Sequence, residues 1–167
     1  MIRDNVLDPQ AFESFYQQIK QTPFVIGDYK VRKGDDIQCL SHIAYEDHNR
    51  TSDMFNLIHT YFSVPLDISS WWRIRICLTW KESISRVFGY HTDYDENISS
   101  NDYKYEHMKT AIYYLNDTNG PTVFRDNDKS VQCIKNRLLI FPSTERHSGS
   151  SHTEGDDLRM VVNFNYF

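Results

Sequence analysis

Between Trp72 and Trp80 the chain alternates without interruption. Trp72, Ile74, Ile76, Leu78 and Trp80 fall on one side of an extended segment, and Arg73, Arg75, Cys77 and Thr79 on the other. A period of two over this length marks a strand with an apolar face and a polar one. Shorter extended runs follow at 86–93, 109–116, 122–124, 131–134, 137–141 and 158–167, with turn residues between them. So many short strands restrict this part of the chain to a sandwich or barrel, and a two-sheet jelly roll fits the count.

The residues before Trp71 read differently. Asp8-Pro9 is a helix start, an N-cap followed by proline in the first turn. Phe12, Phe15, Tyr16 and Ile19 then recur at helical spacing, with Pro23 just past the end. Ile37 to Ala44 reads as a strand. A second helix is expected from Ser52, with Met54, Phe55, Leu57, Ile58, Tyr61 and Phe62 on its apolar side and Pro65 stopping it. At 167 residues the expectation is one mainly β domain, with 1–70 as helical support and 71–167 as the jelly-roll core.

A net charge of -5 provides no basic footprint for nucleic acid. Cys39, Cys77 and Cys133 form neither a CxxC zinc pattern nor a disulfide framework, which points to reduced thiols and a cytoplasmic protein. No apolar run approaches membrane-spanning length, so no membrane partner is expected.

Chemistry enters at Tyr90-His91-Thr92-Asp93. In an extended segment His91 and Asp93 leave the same face, which makes half of a two-histidine, one-carboxylate metal site. Alone the pattern is weak. Seven histidines and 23 acidic residues give about one such pair by chance, and His152-Thr153-Glu154 is a second instance. The third ligand is His147, which follows the 138–141 strand after a short turn, or else His152; Thr153 to Asp157 reads as a hairpin tip. The polar segment Tyr94–His107 beside the pair reads as a lid.

On the last strand Arg159, Val161, Asn163 and Asn165 share a face, while Met160, Val162, Phe164 and Tyr166 pack behind. An inward face with one Arg and two Asn suits a polar pocket better than a core. Asn165 is expected in the substrate pocket, and Arg73 and Arg75, on one face of their strand, are either substrate contacts or paired charges at a solvated edge.

Four features in order, His91-x-Asp93, the strand Lys109 to Asn116 with its Tyr113-Tyr114-Leu115-Asn116, His147 and Arg159, resemble the 2-oxoglutarate- and Fe(II)-dependent oxygenases, in particular their prolyl-hydroxylase-like group. The resemblance covers about residues 86 to 167, and the earlier part only in general plan. It implies a double-stranded β-helix with Fe(II) held by His91, Asp93 and His147. Arg159 would pair with the distal carboxylate of 2-oxoglutarate, with Tyr114 donating to the same group and Asn163 beside it. The implied reaction couples oxidative decarboxylation of 2-oxoglutarate by O2, with ascorbate admitted as a reductant, to hydroxylation of a C–H bond. A peptidyl, prolyl substrate is expected. The alternatives are a free amino acid or other small molecule, or a jelly-roll binding module without catalysis.

Overall fold

The computed structural model describes residues 1–28, 38–93 and 107–167. The expected lid, apart from His107, lies outside the described residues. The elements in order are β1 (Ile2–Arg3), α1 (Pro9–Lys20), β2 (Val25–Asp28), β3 (Gln38–Glu46), β4 (Asn49–Arg50), α2 (Met54–Leu66), β5 (Trp71–Trp80), β6 (Lys109–Tyr114), β7 (Thr118–Phe124), β8 (Ser130–Cys133), β9 (Arg137–Pro142), β10 (His147–Gly149) and β11 (Leu158–Tyr166). The larger sheet runs β1-β9-β6-β11-β5-β3-β2, with β4 paired to β3, and the smaller runs β10-β7-β8. Every ladder is antiparallel. Two such sheets enclosing an interior are the double-stranded β-helix the sequence predicts.

Alternation in the central strands divides the apolar residues into two cores. Ile74, Ile76, Tyr113, Val162 and Phe164 turn outward and meet Phe15, Ile19, Ile58 and Phe62 from the helices. Ile112, Tyr114, Leu139 and Val161 turn inward and meet Phe124 and Val131 of the smaller sheet. Both helices hold their places through the residues expected to do so. The Asp8 carboxylate accepts from the amides of Gln10 and Ala11, both at 3.0 Å, and Phe12, Phe15 and Ile19 are buried.

Four local expectations are corrected. Pro65 does not stop α2 but sits in its last turn, Leu66 after it is buried in the core, and the helix closes at Asp67 in a left-handed conformation (φ 52°). Trp71, not Trp72, takes the core face of β5, because a bulge opposite Asn165/Tyr166 shifts the register there. Trp71 packs on Phe164 and Tyr166 and donates its indole N–H to His59 Nδ1 at 3.0 Å. The 86–93 run is not a ladder strand, and pairs with β10 and the residue after it through isolated bridges at Val87–Ser150 and His91–His147. Residues 153–157 are not a hairpin tip, since β10 pairs with β7 while β11 pairs with β5 and β6; they cross between sheets. The first 70 residues are also more than helical support, for β1, β2 and β3 extend the larger sheet.

Candidate active site

His91 and His147 are joined through their backbones. The His91 amide donates to the His147 carbonyl at 3.0 Å and the His147 amide returns the bond at 2.9 Å, so the rings sit 4.5 Å apart, centre to centre. Each ring donates its Nδ1 proton to the backbone carbonyl two residues earlier, Gly89 at 3.2 Å and Glu145 at 3.0 Å. That fixes both as the tautomer with a lone pair on Nε2. Phe141 packs edge-on to the His147 ring at 4.6 Å and fixes its plane. Asp93 faces both: His91 Nε2 is 4.0 Å from its Oδ1, and His147 Nε2 is 3.8 Å from its Oδ2. The three offer one ligand atom each, all within 4.8 Å of one another.

The larger sheet supplies the groups that hold Asp93. Arg73 Nη2 donates to Oδ1 at 2.9 Å, while Thr110 Oγ1 (2.8 Å) and Asn165 Nδ2 (3.1 Å) donate to Oδ2. The side chain is 2% exposed. Burial alone would raise the carboxyl pKa, but the Arg73 charge, followed by the two histidines and the Asn165 hydrogen bond, holds it well below the usual carboxylate range. Burial, then the neighbouring His147, lowers the pKa of His91. A carboxylate and two imidazoles, each ring held through Nδ1 by a carbonyl and turning Nε2 toward Asp93, are a donor set that a divalent metal takes. The residues fit the ion.

A cavity of about 680 Å3, counting its open mouth, is lined by His91, His147 and Asn163 and also by Arg159, Thr122 and Gly149. Arg159 is 5% exposed; its Nε donates to the Gly120 carbonyl at 2.9 Å and its Nη2 to Thr122 Oγ1 at 3.3 Å. Its Nη1 faces the cavity beside Gly149, where an added Cβ would stand 3.8 Å from it. Gly149 is two residues beyond His147 on β10, about 6.6 Å of strand, the span of a short dicarboxylate.

Several expected residues are placed otherwise. Tyr114 is fully buried behind Thr122, to whose Oγ1 it donates at 2.7 Å, and it does not line the cavity. Burial pushes its hydroxyl up to about 12. Asn163 lines the cavity, but its Nδ2 faces Asp93 Oδ2 at 3.4 Å, and its acceptor Oδ1 is buried without a hydrogen-bond partner among the described residues. Asn165 has both ends of its amide engaged, Oδ1 by Arg73 Nε at 2.9 Å and Nδ2 by Asp93 and Thr110. It is fully buried and does not line the cavity. Arg75 shares the inward face but lies outside the cavity lining, with Nη2 3.5 Å from Ser41 Oγ. His152 is buried away from the cluster, its Nε2 at 2.9 Å from the Asp156 carbonyl. Thr122, Thr110 and Gly149 went unforeseen; only the alternation of β6 hinted at Thr110, which shares a face with Ile112 and Tyr114.

A jelly roll whose interior brings two histidines and one carboxylate together is the arrangement of non-haem iron oxygenases. The profile of the 2OG-Fe(II) oxygenase superfamily matches residues 83–167, and the chain belongs to that family. It is a 2-oxoglutarate-dependent dioxygenase, with Fe(II) as cofactor and 2-oxoglutarate as co-substrate. No curated protein matches it in sequence. Similar solved structures include a prolyl hydroxylase from Trichoplax adhaerens in complex with a hypoxia inducible factor peptide fragment, at 16% identity and a TM-score of 0.65 over 100% of this chain and 82% of that one. HygX from Streptomyces hygroscopicus, with nickel and 2-oxoglutarate bound, is 13% identical with a TM-score of 0.65, over 99% and 81%. A Pseudomonas putida prolyl-4-hydroxylase is 11% identical with a TM-score of 0.64, over 99% and 90%. Among the described residues no helix is long and apolar enough to cross a membrane.

Proposed function

We propose that this chain hydroxylates a C–H bond of a peptidyl substrate, a prolyl residue in the first instance, with His91, Asp93 and His147 holding Fe(II). The observation that carries the reading is the meeting of these three side chains within 4.8 Å of one another, with both histidines lining the same cavity as Arg159. The balance is one 2-oxoglutarate, one O2 and one substrate C–H giving succinate, carbon dioxide and the alcohol. Bound Fe(II) and 2-oxoglutarate supply the oxidising chemistry; the chain binds, orients and shields.

Arg159 meets the distal carboxylate through Nη1, its Nε hydrogen and one Nη2 hydrogen being taken by Gly120 and Thr122. Thr122 Oγ1 accepts from Tyr114 and Arg159, which leaves the Thr122 hydroxyl proton to donate to the same carboxylate. Tyr114 thus acts through Thr122. Asn163 Oδ1, an acceptor, suits a donor on the substrate; 2-oxoglutarate presents only acceptors. Phe88, Ile112 and Val161 supply apolar wall that excludes water from the reacting groups.

The peptidyl reading draws support from the Trichoplax relative with its peptide fragment, and the small-molecule alternative from HygX with hygromycin B bound. An anaerobic Fe(II) titration with 2-oxoglutarate tests the site without any knowledge of the substrate. We expect a visible charge-transfer band in the wild type that is lost in His147→Ala and kept in His152→Ala. The reverse pattern would reassign the third ligand. Mass spectrometry of prolyl peptides and of free amino acids after aerobic turnover then decides the substrate class: a shift of one oxygen on a peptide supports the proposal, and a shift on small molecules alone refutes its peptidyl part.

A further inference from the structure

A carboxylate has about four lone-pair sites, two on each oxygen. On Asp93, Thr110 and Asn165 occupy those of Oδ2, with Asn163 Nδ2 a longer third approach at 3.4 Å. On Oδ1 Arg73 takes one, at 2.9 Å, so one site remains. We propose that Arg73 is a positioning residue that, with Thr110 and Asn165, restricts Asp93 to a one-atom grip on the metal through Oδ1. The proposal rests on Asp93 being a ligand, as read above.

Arg73 does this with both arms of its fork. Nη2 holds the carboxylate, and Nε donates to Asn165 Oδ1 at 2.9 Å, which turns the Asn165 amide so that Nδ2 meets Asp93 and Thr110. The three residues close a ring of hydrogen bonds. A lysine keeps the charge but cannot span both partners with the same geometry. The ring matters for chemistry because a carboxylate that chelated with both oxygens would use a coordination position that co-substrate or oxygen needs.

Charge and geometry here predict opposite signs. A guanidinium beside a dication opposes metal binding, so if Arg73 were only a charge, its removal would tighten the site. If it positions the ligand, removal loosens it, by about ten- to a hundredfold for groups that orient metal ligands.

The test is calorimetric titration of Mn(II) into metal-free wild type, Arg73→Lys, Arg73→Gln and Asp93→Ala, with near-ultraviolet circular dichroism to confirm folding. The Fe(II)–2-oxoglutarate charge-transfer band is recorded anaerobically for each. We expect the Mn(II) Kd to rise about tenfold or more in both Arg73 variants. The band should move or weaken, a response that a purely structural ion pair would not produce. Should Arg73→Gln fail to fold, Arg73→Lys decides. Mn(II) binding that is unchanged or tighter in a folded variant, with the band unmoved, overturns the role of Arg73 while Asp93→Ala still abolishes binding. If Asp93→Ala itself binds Mn(II) as the wild type does, it is the ligand assignment that falls.

Discussion

The hydroxyl of Thr122 accepts from Tyr114 at 2.7 Å and from Arg159 at 3.3 Å, so its own proton is available to the cavity. Replacing it by valine removes that donor and unseats Arg159 while preserving shape. A hydrogen bond to a charged group is worth about 1.5–3 kcal/mol, so Thr122→Val should raise the KM for 2-oxoglutarate about ten- to a hundredfold. Mn(II) affinity should stay unchanged. Tyr114→Phe, acting at one remove, should cost less than Thr122→Val in the same assay. Gly149 offers a complementary check: a Cβ there would already stand 3.5 Å from the Phe88 ring and 3.8 Å from Arg159 Nη1, and the branches of valine would reach further into that space. Gly149→Val should therefore impair 2-oxoglutarate binding, read by the same KM, more than it impairs Mn(II) binding. His91, Asp93, His147 and Arg159 were legible in the sequence because their order and spacing carry the pattern. The placements of Tyr114, Asn165 and Arg75 outside the cavity lining were not, because they depend on packing behind the wall, and no spacing encodes that.

At the scale of elements, alternation and capping were sufficient for α1, for β11 and for β5 beyond its first two residues, whose two faces differ in polarity. They failed where pairing is set from elsewhere. Residues 86–93 look like a strand but find only two bridges, because β10, the edge strand they run beside, is only three residues long. The β10 strand itself, three residues with a glycine at its end, carries too little periodicity to announce itself. Gly120 marks a place where β7 must run close to the crossing between β10 and β11: a Cβ there would meet the Ser150 carbonyl oxygen at 2.8 Å and His152 Cβ at 3.0 Å. Gly120→Ala should destabilise the protein by about 1–3 kcal/mol, an overpacking cost, measured by urea denaturation. Because the Gly120 carbonyl also accepts from Arg159 Nε, the same variant should weaken 2-oxoglutarate binding.

The whole molecule separates support from chemistry. The helix-side core contains Phe62 in contact with Phe15, Tyr113 and Phe164, and none of these lines the cavity. Phe62→Ala should cost about 3–5 kcal/mol of stability, seen as a lower denaturation midpoint. We propose a single unfolding transition, since β2 and β3 from the first part of the chain share a sheet with β5 and β11 from the second. The metal site is assembled by hydrogen bonds within the protein, so chelator-treated protein should remain folded by circular dichroism. Mn(II) at about a hundred times its Kd should then add about 2.7 kcal/mol, visible as a higher Tm.

The paired backbones of His91 and His147 have one more consequence. Two main-chain hydrogen bonds, at 3.0 and 2.9 Å, lock the jaws of a caliper whose tips are the two Nε2 atoms. Opening it means breaking bonds worth about 0.5–1.5 kcal/mol each, whereas a lone pair of side chains would simply swing apart. The gauge of the site is therefore written in the polypeptide itself. An ion that needs six to eight oxygen neighbours at about 2.3–2.6 Å, such as calcium, meets two nitrogens it does not favour on a frame that does not widen. Discrimination against it requires no further residue.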